Sequence, residues 1–222
     1  MTDQIFNYFD HAQLQSEADE RAILKCCREA MEFNFYGIAI NPYWVPIAKK
    51  ELTGTDVKII GVSGFPLSAS TTKIKVAEAV KGVEDGADEI DMVANIGLLV
   101  SGETLKAQAE IAEVRKSLPD YIVLKVIIET PKLTPDQQVE ATKAVIDGGA
   151  QFVKTATGFF GGATVEVVER LKKVAGGQIK VKASGGIKSL ADAEAMIAAG
   201  ADRLGSSSSA VIMREFFEIQ KV

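Results

Sequence analysis

Short runs of apolar and β-branched residues alternate along the chain with longer segments in which apolar positions recur every three or four residues. This is the pattern of a parallel sheet wrapped by amphipathic helices. The short runs are YGIAI at 36–40, VKIIGV at 57–62, EIDMV at 89–93, IVLKVIIE at 122–129, FVKTA at 152–156, IKVKAS at 179–184 and RLGSS at 203–207, with NYFDHA at 7–12 as a weaker eighth. A closed parallel barrel needs eight strands, whereas an open doubly wound sheet commonly has fewer. The pattern therefore predicts an α/β protein of the (β/α)8 TIM-barrel class.

The longer segments carry helix start and stop signals. Ser16 precedes EADERAILKCCREAMEF, Thr134 precedes PDQQVEATKAVIDGG and Ser189 precedes LADAEAMIAAG, each offering an oxygen to the unpaired N–H groups of a first turn. Gly86, Gly148 and Gly200 suit the helix ends. The segments DGADEIDMV, GGAQFVKTA and AGADRLGSS share one grammar of helix, small residues and strand, which reads as repeated βα units. With 222 residues, 47% of them hydrophobic, the chain can enclose one sizeable core but not two barrels. No low-complexity linker breaks the rhythm, so one barrel domain over residues 1–222 is expected.

Strands of a parallel barrel are covered on both faces and should be almost continuously apolar. Four of these are not: Asp91 interrupts EIDMV, Lys125 IVLKVIIE, Lys154 FVKTA and Lys182 IKVKAS. Burying one unpaired charge costs several kcal/mol, on the order of the stability of a small domain, so four such residues are expected to point inward and meet. Barrel active sites are built at the C-terminal ends of strands, where we expect this set to lie. A free lysine, with a pKa of about 10.4, is almost wholly protonated at pH 7 and is no nucleophile. Desolvation and a second ammonium both disfavour the charged form, so Lys154 and Lys182 side by side would make one of them a neutral amine able to attack a carbonyl. Charge arithmetic does not say which. The imine so formed draws electrons from the adjacent carbon, and Asp91 would relay protons directly or through water.

The rest of the composition narrows the partners. A net charge of −5, with acids and bases mixed along the chain, offers no footprint for nucleic acid or an anionic membrane, so a small molecule is the expected partner. The single histidine, His11, rules out a His-rich zinc site, so no metal is expected; as a lone histidine beside Phe9 it could simply hydrogen-bond its neighbours in the core, and no catalytic role is assigned to it. The only cysteines, Cys26 and Cys27, are adjacent in a helical stretch and suggest a reducing setting. With no signal-like start and no long apolar run, a soluble, cytoplasmic protein is expected.

Two glycine- and serine-rich turns read as anion sites. In SGGIKS, Gly185 and Gly186 lie between a strand and a helix; in LGSSSSA, Gly205 leads Ser206, Ser207 and Ser208 into the last helix. Both would present backbone N–H groups and a helix N-terminus to a phosphate, in the loops after strands 7 and 8, where barrels often bind one. Gly158 offers a further backbone contact, while Gly161 and Gly162 could equally be plain turn residues.

The stretches GFPLSASTTKIKVAEA, GADEIDMVANIG, LKVIIET, FVKTATGF, GGATVE and KASGGIKSLADAEAMIAAGADRLGSSS, in this order, resemble the deoxyribose-phosphate aldolase family of class I aldolases. The resemblance implies reversible cleavage of 2-deoxy-D-ribose 5-phosphate to D-glyceraldehyde 3-phosphate and acetaldehyde, without a cofactor and, by analogy, in a homodimer. It implies Lys154 as the Schiff-base lysine, Lys182 as the lysine that lowers its pKa, Asp91 as the proton-transfer carboxylate and Lys125 as a further active-site lysine. The match departs from the family in the first strand, where DHAQLQ stands for the usual DHTLLK, placing Ala12 and Gln15 where threonine and lysine are common. It departs again before Asn41 and Pro42, where Ile40 stands in place of a frequent cysteine. These changes touch the expected substrate rim and leave donor and acceptor preference open. Another Schiff-base sugar-phosphate aldolase or transaldolase, or a non-catalytic sugar-phosphate-binding barrel, remains an alternative.

Overall fold

The computed structural model describes residues 5–220. Eight parallel strands close into a barrel in sequence order, β1 pairing with both β2 and β8. The strands are β1 Phe9–Gln13, β2 Gly37–Ile40, β3 Lys58–Ser63, β4 Glu89–Val93, β5 Val123–Ile127, β6 Phe152–Lys154, β7 Lys180–Ser184 and β8 Arg203–Ser206. The helices are α1 Glu20–Glu32, α2 Val45–Glu51, α3 Thr72–Glu84, α4 Ile96–Val100, α5 Thr104–Ser117, α6 Pro135–Asp147, α7 Val165–Ala175, α8 Leu190–Ala198 and α9 Ser209–Ile219. This is the (β/α)8 barrel that the alternation predicts, with α4 an extra turn inserted between β4 and α5.

Period two along each strand sorts the side chains. Ile90 and Met92 of β4, Leu124 and Val126 of β5, Val153 of β6 and Val181 and Ala183 of β7 belong to the large apolar cluster shared with the helices. The alternate positions, Asp91, Lys125, Lys154 and Lys182, are the inward ones, and all four are buried. Burial of the apolar set, at about 25 cal/mol per Å² removed from water, is what holds the strands against their helices, so the inner face is free to be polar.

Caps decide where several helices begin. Thr134 and Ser189 form reciprocal capping boxes with Gln137 and Asp192, as their positions predict. The first helix differs: Asp19, not Ser16, accepts the N–H of Ala22, while Ser16 turns its hydroxyl to Glu17. Both residue types cap well, and the path of the chain leaving β1 puts Asp19 at the first turn. Cys26 and Cys27 are free and buried on α1. His11 does not enter the barrel; its Nε2 lies 3.1 Å from Glu29 of α1 and its ring packs against Phe35. Among the described residues no helix is long and apolar enough to cross a membrane.

The C-terminal side of the barrel is braced by an ion pair outside the inner cluster. Lys75 of α3, fully buried, donates to Glu110 of α5 at 2.7 Å, to the carbonyl of Val93 at 3.0 Å and to Ser68 Oγ at 2.5 Å. Glu110 also accepts the N–H of Asn95 at 2.9 Å. The GFPLSAS turn and the end of β4 are thus tied to one point. From this turn, Phe65 meets Phe159 of the β6 loop edge-on, with ring centroids 5.5 Å apart.

Candidate active site

The barrel register fixes the heights of the inward charges. Asp91 is level with Lys125, but Lys125 is level with Phe152, and it is Ile127 that pairs with Lys154. Lys154, the last residue of β6, therefore stands one inward step above Asp91 and Lys125. Lys182 lies level with Lys154 on one side and Arg203 on the other. Only Lys154 of the four is at a strand end; Asp91, Lys125 and Lys182 sit mid-strand, deeper than the expected C-terminal placement.

Asp91 is the hub. One carboxylate oxygen accepts from Lys154 at 2.7 Å and from Lys182 at 2.8 Å, and the other accepts from Lys125 at 3.0 Å. Lys182 is also ion-paired with Asp10, which accepts from Arg203 Nη1 at 3.0 Å. Lys125 reaches Glu89, whose other oxygen accepts the Tyr36 hydroxyl at 2.5 Å, and the Arg203 guanidinium stacks on the Tyr36 ring 3.2 Å from its centroid. Among the described residues, three inward carboxylates, Asp10, Glu89 and Asp91, thus meet four basic side chains, Lys125, Lys154, Lys182 and Arg203. The cluster is electrically balanced only when one of the four is neutral.

The surroundings identify that group. Burial pushes the Lys154 ammonium down and the neighbouring Lys182 and Lys125 add to it, so that against the pull of Asp91 its pKa comes to about 8. Burial works against the charged form of Lys125 as well, but Asp91, Asp10 and Glu89 outweigh it and hold that ammonium above its ordinary range. For Asp91, burial would raise the carboxyl, and the three lysines overcome it and hold it well below the usual carboxylate range. Asp10 is likewise lowered, burial being outweighed by Lys182, Lys125 and Arg203.

Above this cluster opens a cavity of about 360 Å³ with Lys154 and Lys182 among its lining residues. One wall is Thr157, Gly158 and Phe159 of the β6 loop; the far end is Gly185, Gly186, Ile187 and Lys188 after β7 and Gly205, Ser206 and Ser207 after β8. The structure thus brings Gly158, Gly185, Gly186, Gly205 and Ser207 to one cavity with Lys154 and Lys182. Ser208 does not line it: it is the residue before α9, and its N–H is turned to Ser206 Oγ at 2.9 Å. Lys125 does not line it either, because its ammonium is held below the floor by Glu89 and Asp91. Gly161 and Gly162 are more than turn residues. A Cβ on Gly162 would come 2.4 Å from the Gly185 carbonyl oxygen, so the β6 and β7 loops approach too closely for a side chain there. At the rim, Ala12 and Gln15 line the cavity as their departures imply, but on β2 the lining residue is Ala39; alternation turns Ile40 into the outer apolar cluster.

Sequence reasoning missed Asp10, Glu89, Arg203 and Lys188. Glu89 stands two residues before Asp91 and so shares its inward face, a signal that was available. Asp10 carries the same signal relative to Ala12, but NYFDHA mixes polar and apolar residues, so its acid interrupts no apolar run.

The model of the DeoC/LacD family aldolases matches residues 5–217. The chain belongs to the DeoC/LacD aldolase family. It is 47% identical over 215 residues to a deoxyribose-phosphate aldolase of Caldanaerobacter subterraneus subsp. tengcongensis, covering 96% of this chain and 93% of that one. Among solved structures it resembles the aldolase QR15, with TM-score 0.94 and 40% identity over 100% of this chain and 99% of the other. It also resembles the deoxyribose phosphate aldolase of Aeropyrum pernix, described as a unique tetramer, with TM-score 0.89 and 30% identity over 97% and 92% of the two chains. This member of the DeoC/LacD aldolases is accordingly an enzyme, a carbon–carbon lyase on a TIM barrel.

Proposed function

We propose that this aldolase reversibly cleaves 2-deoxy-D-ribose 5-phosphate to D-glyceraldehyde 3-phosphate and acetaldehyde through a Schiff base on Lys154. The observation that carries the reading is the Lys154 amine at the cavity floor, brought to a pKa of about 8 by burial and by the ammonium that shares its carboxylate. Lys182 is the poorer candidate for the nucleophile because it is clasped between two carboxylates, Asp10 and Asp91.

In the cleavage direction, neutral Lys154 adds to the aldehyde carbon of the open-chain sugar, and loss of water leaves a protonated imine. The hydroxyl on the third carbon gives up its proton, the bond between the second and third carbons breaks, and its electron pair moves into the imine to form an enamine. Glyceraldehyde 3-phosphate leaves. Protonation of the enamine and hydrolysis then release acetaldehyde and restore the amine. Asp91, held well below the usual carboxylate range, gives up at once any proton it takes; this suits a relay between Lys154, Lys182 and water rather than proton storage. At the far end of the cavity the left-handed glycines Gly158, Gly185 and Gly186, with Gly205, Ser207 and Lys188, supply N–H groups, a hydroxyl and a cation for the 5-phosphate.

Borohydride reduction in the presence of acetaldehyde, followed by mass mapping, is expected to place the ethyl group on Lys154. Trapping on Lys182, or on no lysine, would overturn the mechanism and favour a different aldolase chemistry or a binding role. A second measurement tests the phosphate end. 2-Deoxyribose 5-phosphate is expected to exceed 2-deoxyribose in kcat/KM by at least about tenfold, because remote phosphate binding holds the reacting carbon over Lys154. Equal values for the two sugars would make the two glycine turns ordinary connections.

A further inference from the structure

The motif LKVIIET contributes Lys125 to the cluster, but its final acid, Glu129, has no part in the chemistry above. It is, with Asn34 and Ser68, among the described non-glycine residues of positive φ. The strand reading of IVLKVIIE extends through Glu129, yet β5 ends at Ile127 and Glu129 takes up a left-handed backbone conformation, with φ 52° and ψ 60°. Side chains avoid that region because the Cβ crowds the following carbonyl, and residues held there tend to cluster at functional sites.

The pairing of the chain with β6 continues on both sides of this kink. Ile128 N–H donates to Lys154 O at 3.1 Å and Thr130 N–H to Thr155 O at 2.8 Å. Glu129 itself is fully buried, and its carboxylate accepts the N–H of Thr157, at 3.1 Å from one oxygen and 3.4 Å from the other. A fully buried carboxylate in a disfavoured backbone conformation is thus set on a backbone amide of the loop that leaves β6, three residues after Lys154. Burial pushes its carboxyl above the ordinary range, against the Thr157 hydrogen bond and the Lys154 and Lys132 charges.

That amide opens the cavity wall. Thr157 Oγ1 accepts the N–H of Phe159 at 3.2 Å, which closes a tight turn around Gly158, itself at φ 90°. Thr157, Gly158 and Phe159 line the cavity between Lys154 and the Gly185–Gly186 turn. Downstream, Ala163 N–H donates to the carbonyls of Ser184 and Gly185, so the β6 loop is anchored at its start by Glu129 and at its end by the β7 loop.

We propose that Glu129 is a positioning residue that fixes Thr157 and Gly158 at the cavity wall and thereby sets how tightly the phosphate end of the substrate is held. The proposal rests on the reading of that cavity as a sugar-phosphate site. It separates two functions of one loop region: Lys154, on the strand, forms the imine, while the turn that Glu129 holds receives the distant phosphate.

Two substitutions test it. Glu129→Gly removes the acceptor while suiting the left-handed backbone, with a circular dichroism spectrum and melting curve checking that the barrel is kept; Glu129→Gln keeps an acceptor oxygen of the same reach. For Glu129→Gly, kcat/KM on 2-deoxyribose 5-phosphate is expected to fall on the order of tenfold, chiefly through KM. Its kcat/KM on 2-deoxyribose, and its rate of borohydride trapping with acetaldehyde, should stay within about twofold of the wild type, and Glu129→Gln should restore most of the loss. Wild-type values for Glu129→Gly on both sugars would overturn the proposal. So would a parallel loss on both sugars and in trapping, which would mark a general structural role, or a Gln variant no better than the Gly variant. If the wild type itself made no distinction between the two sugars, the phosphate reading would fail first and take this assignment with it.

Discussion

Lys154→Leu is expected to lose aldol cleavage and borohydride trapping together, with kcat down roughly 10⁴- to 10⁶-fold, the range seen when a covalent nucleophile is removed. The fold should survive. Leucine replaces the buried stem with apolar volume, and Asp91 keeps Lys125 and Lys182 as partners. A circular dichroism spectrum like that of the wild type, with no activity and no trapped adduct, is the expected outcome. Retention of trapping in this variant would place the Schiff base on another lysine.

Lys182→Leu should behave differently, because Lys154 survives in it. With a pKa of about 8, about one Lys154 in ten is neutral at pH 7. Removing the neighbouring ammonium takes away a repulsion that lowers this pKa, and it leaves Asp91 free to pull harder on Lys154. Both changes favour the charged amine, so the pKa rises. Each unit by which it rises lowers the neutral fraction at pH 7 roughly tenfold, and activity falls with it. The sign is testable without a structure: the alkaline rise in kcat should move to higher pH, and part of the lost activity should return there. Burial, the largest cause of the lowered pKa, is unchanged by the substitution, so the shift should stop short of the ordinary lysine value. An alkaline rise left where the wild type has it would remove Lys182 from the tuning of Lys154.

Seven strands were plainly visible because a strand covered on both faces must be apolar for several residues running, and few other contexts demand this; the eighth, in NYFDHA, was weaker because polar residues break its run. The four interrupting charges stood out against those runs for the same reason. Asp10 and Arg203 did not: Asp10 lies in NYFDHA, where polar and apolar residues are mixed, and Arg203 opens its strand directly after Asp202, where a charge looks like an ordinary turn residue. Glu129 looked like the end of a strand, since composition carries no mark of a left-handed turn at a residue other than glycine. The choice between Ile40 and Ala39 depended on which face of β2 is inward, and four apolar residues in a row give no alternation from which to read it.

The sequence by itself therefore determined the architecture, four of the inner charges and the position of the glycine turns, because these follow from local periodicity and from the cost of burying charge. Only the tertiary structure decided which charges meet and which residues touch the cavity. The pair between Lys182 and Asp10 joins residues 172 positions apart, and it exists because closing the barrel brings β8 beside β1 and Asp10 level with Gly205. The height of Lys154 above Lys125 comes from the same source: the stagger of β6 against β5 puts Phe152 opposite Lys125. That stagger is a property of the closed sheet as a whole, and it is what leaves the amine of one lysine at the cavity floor while holding the other beneath it.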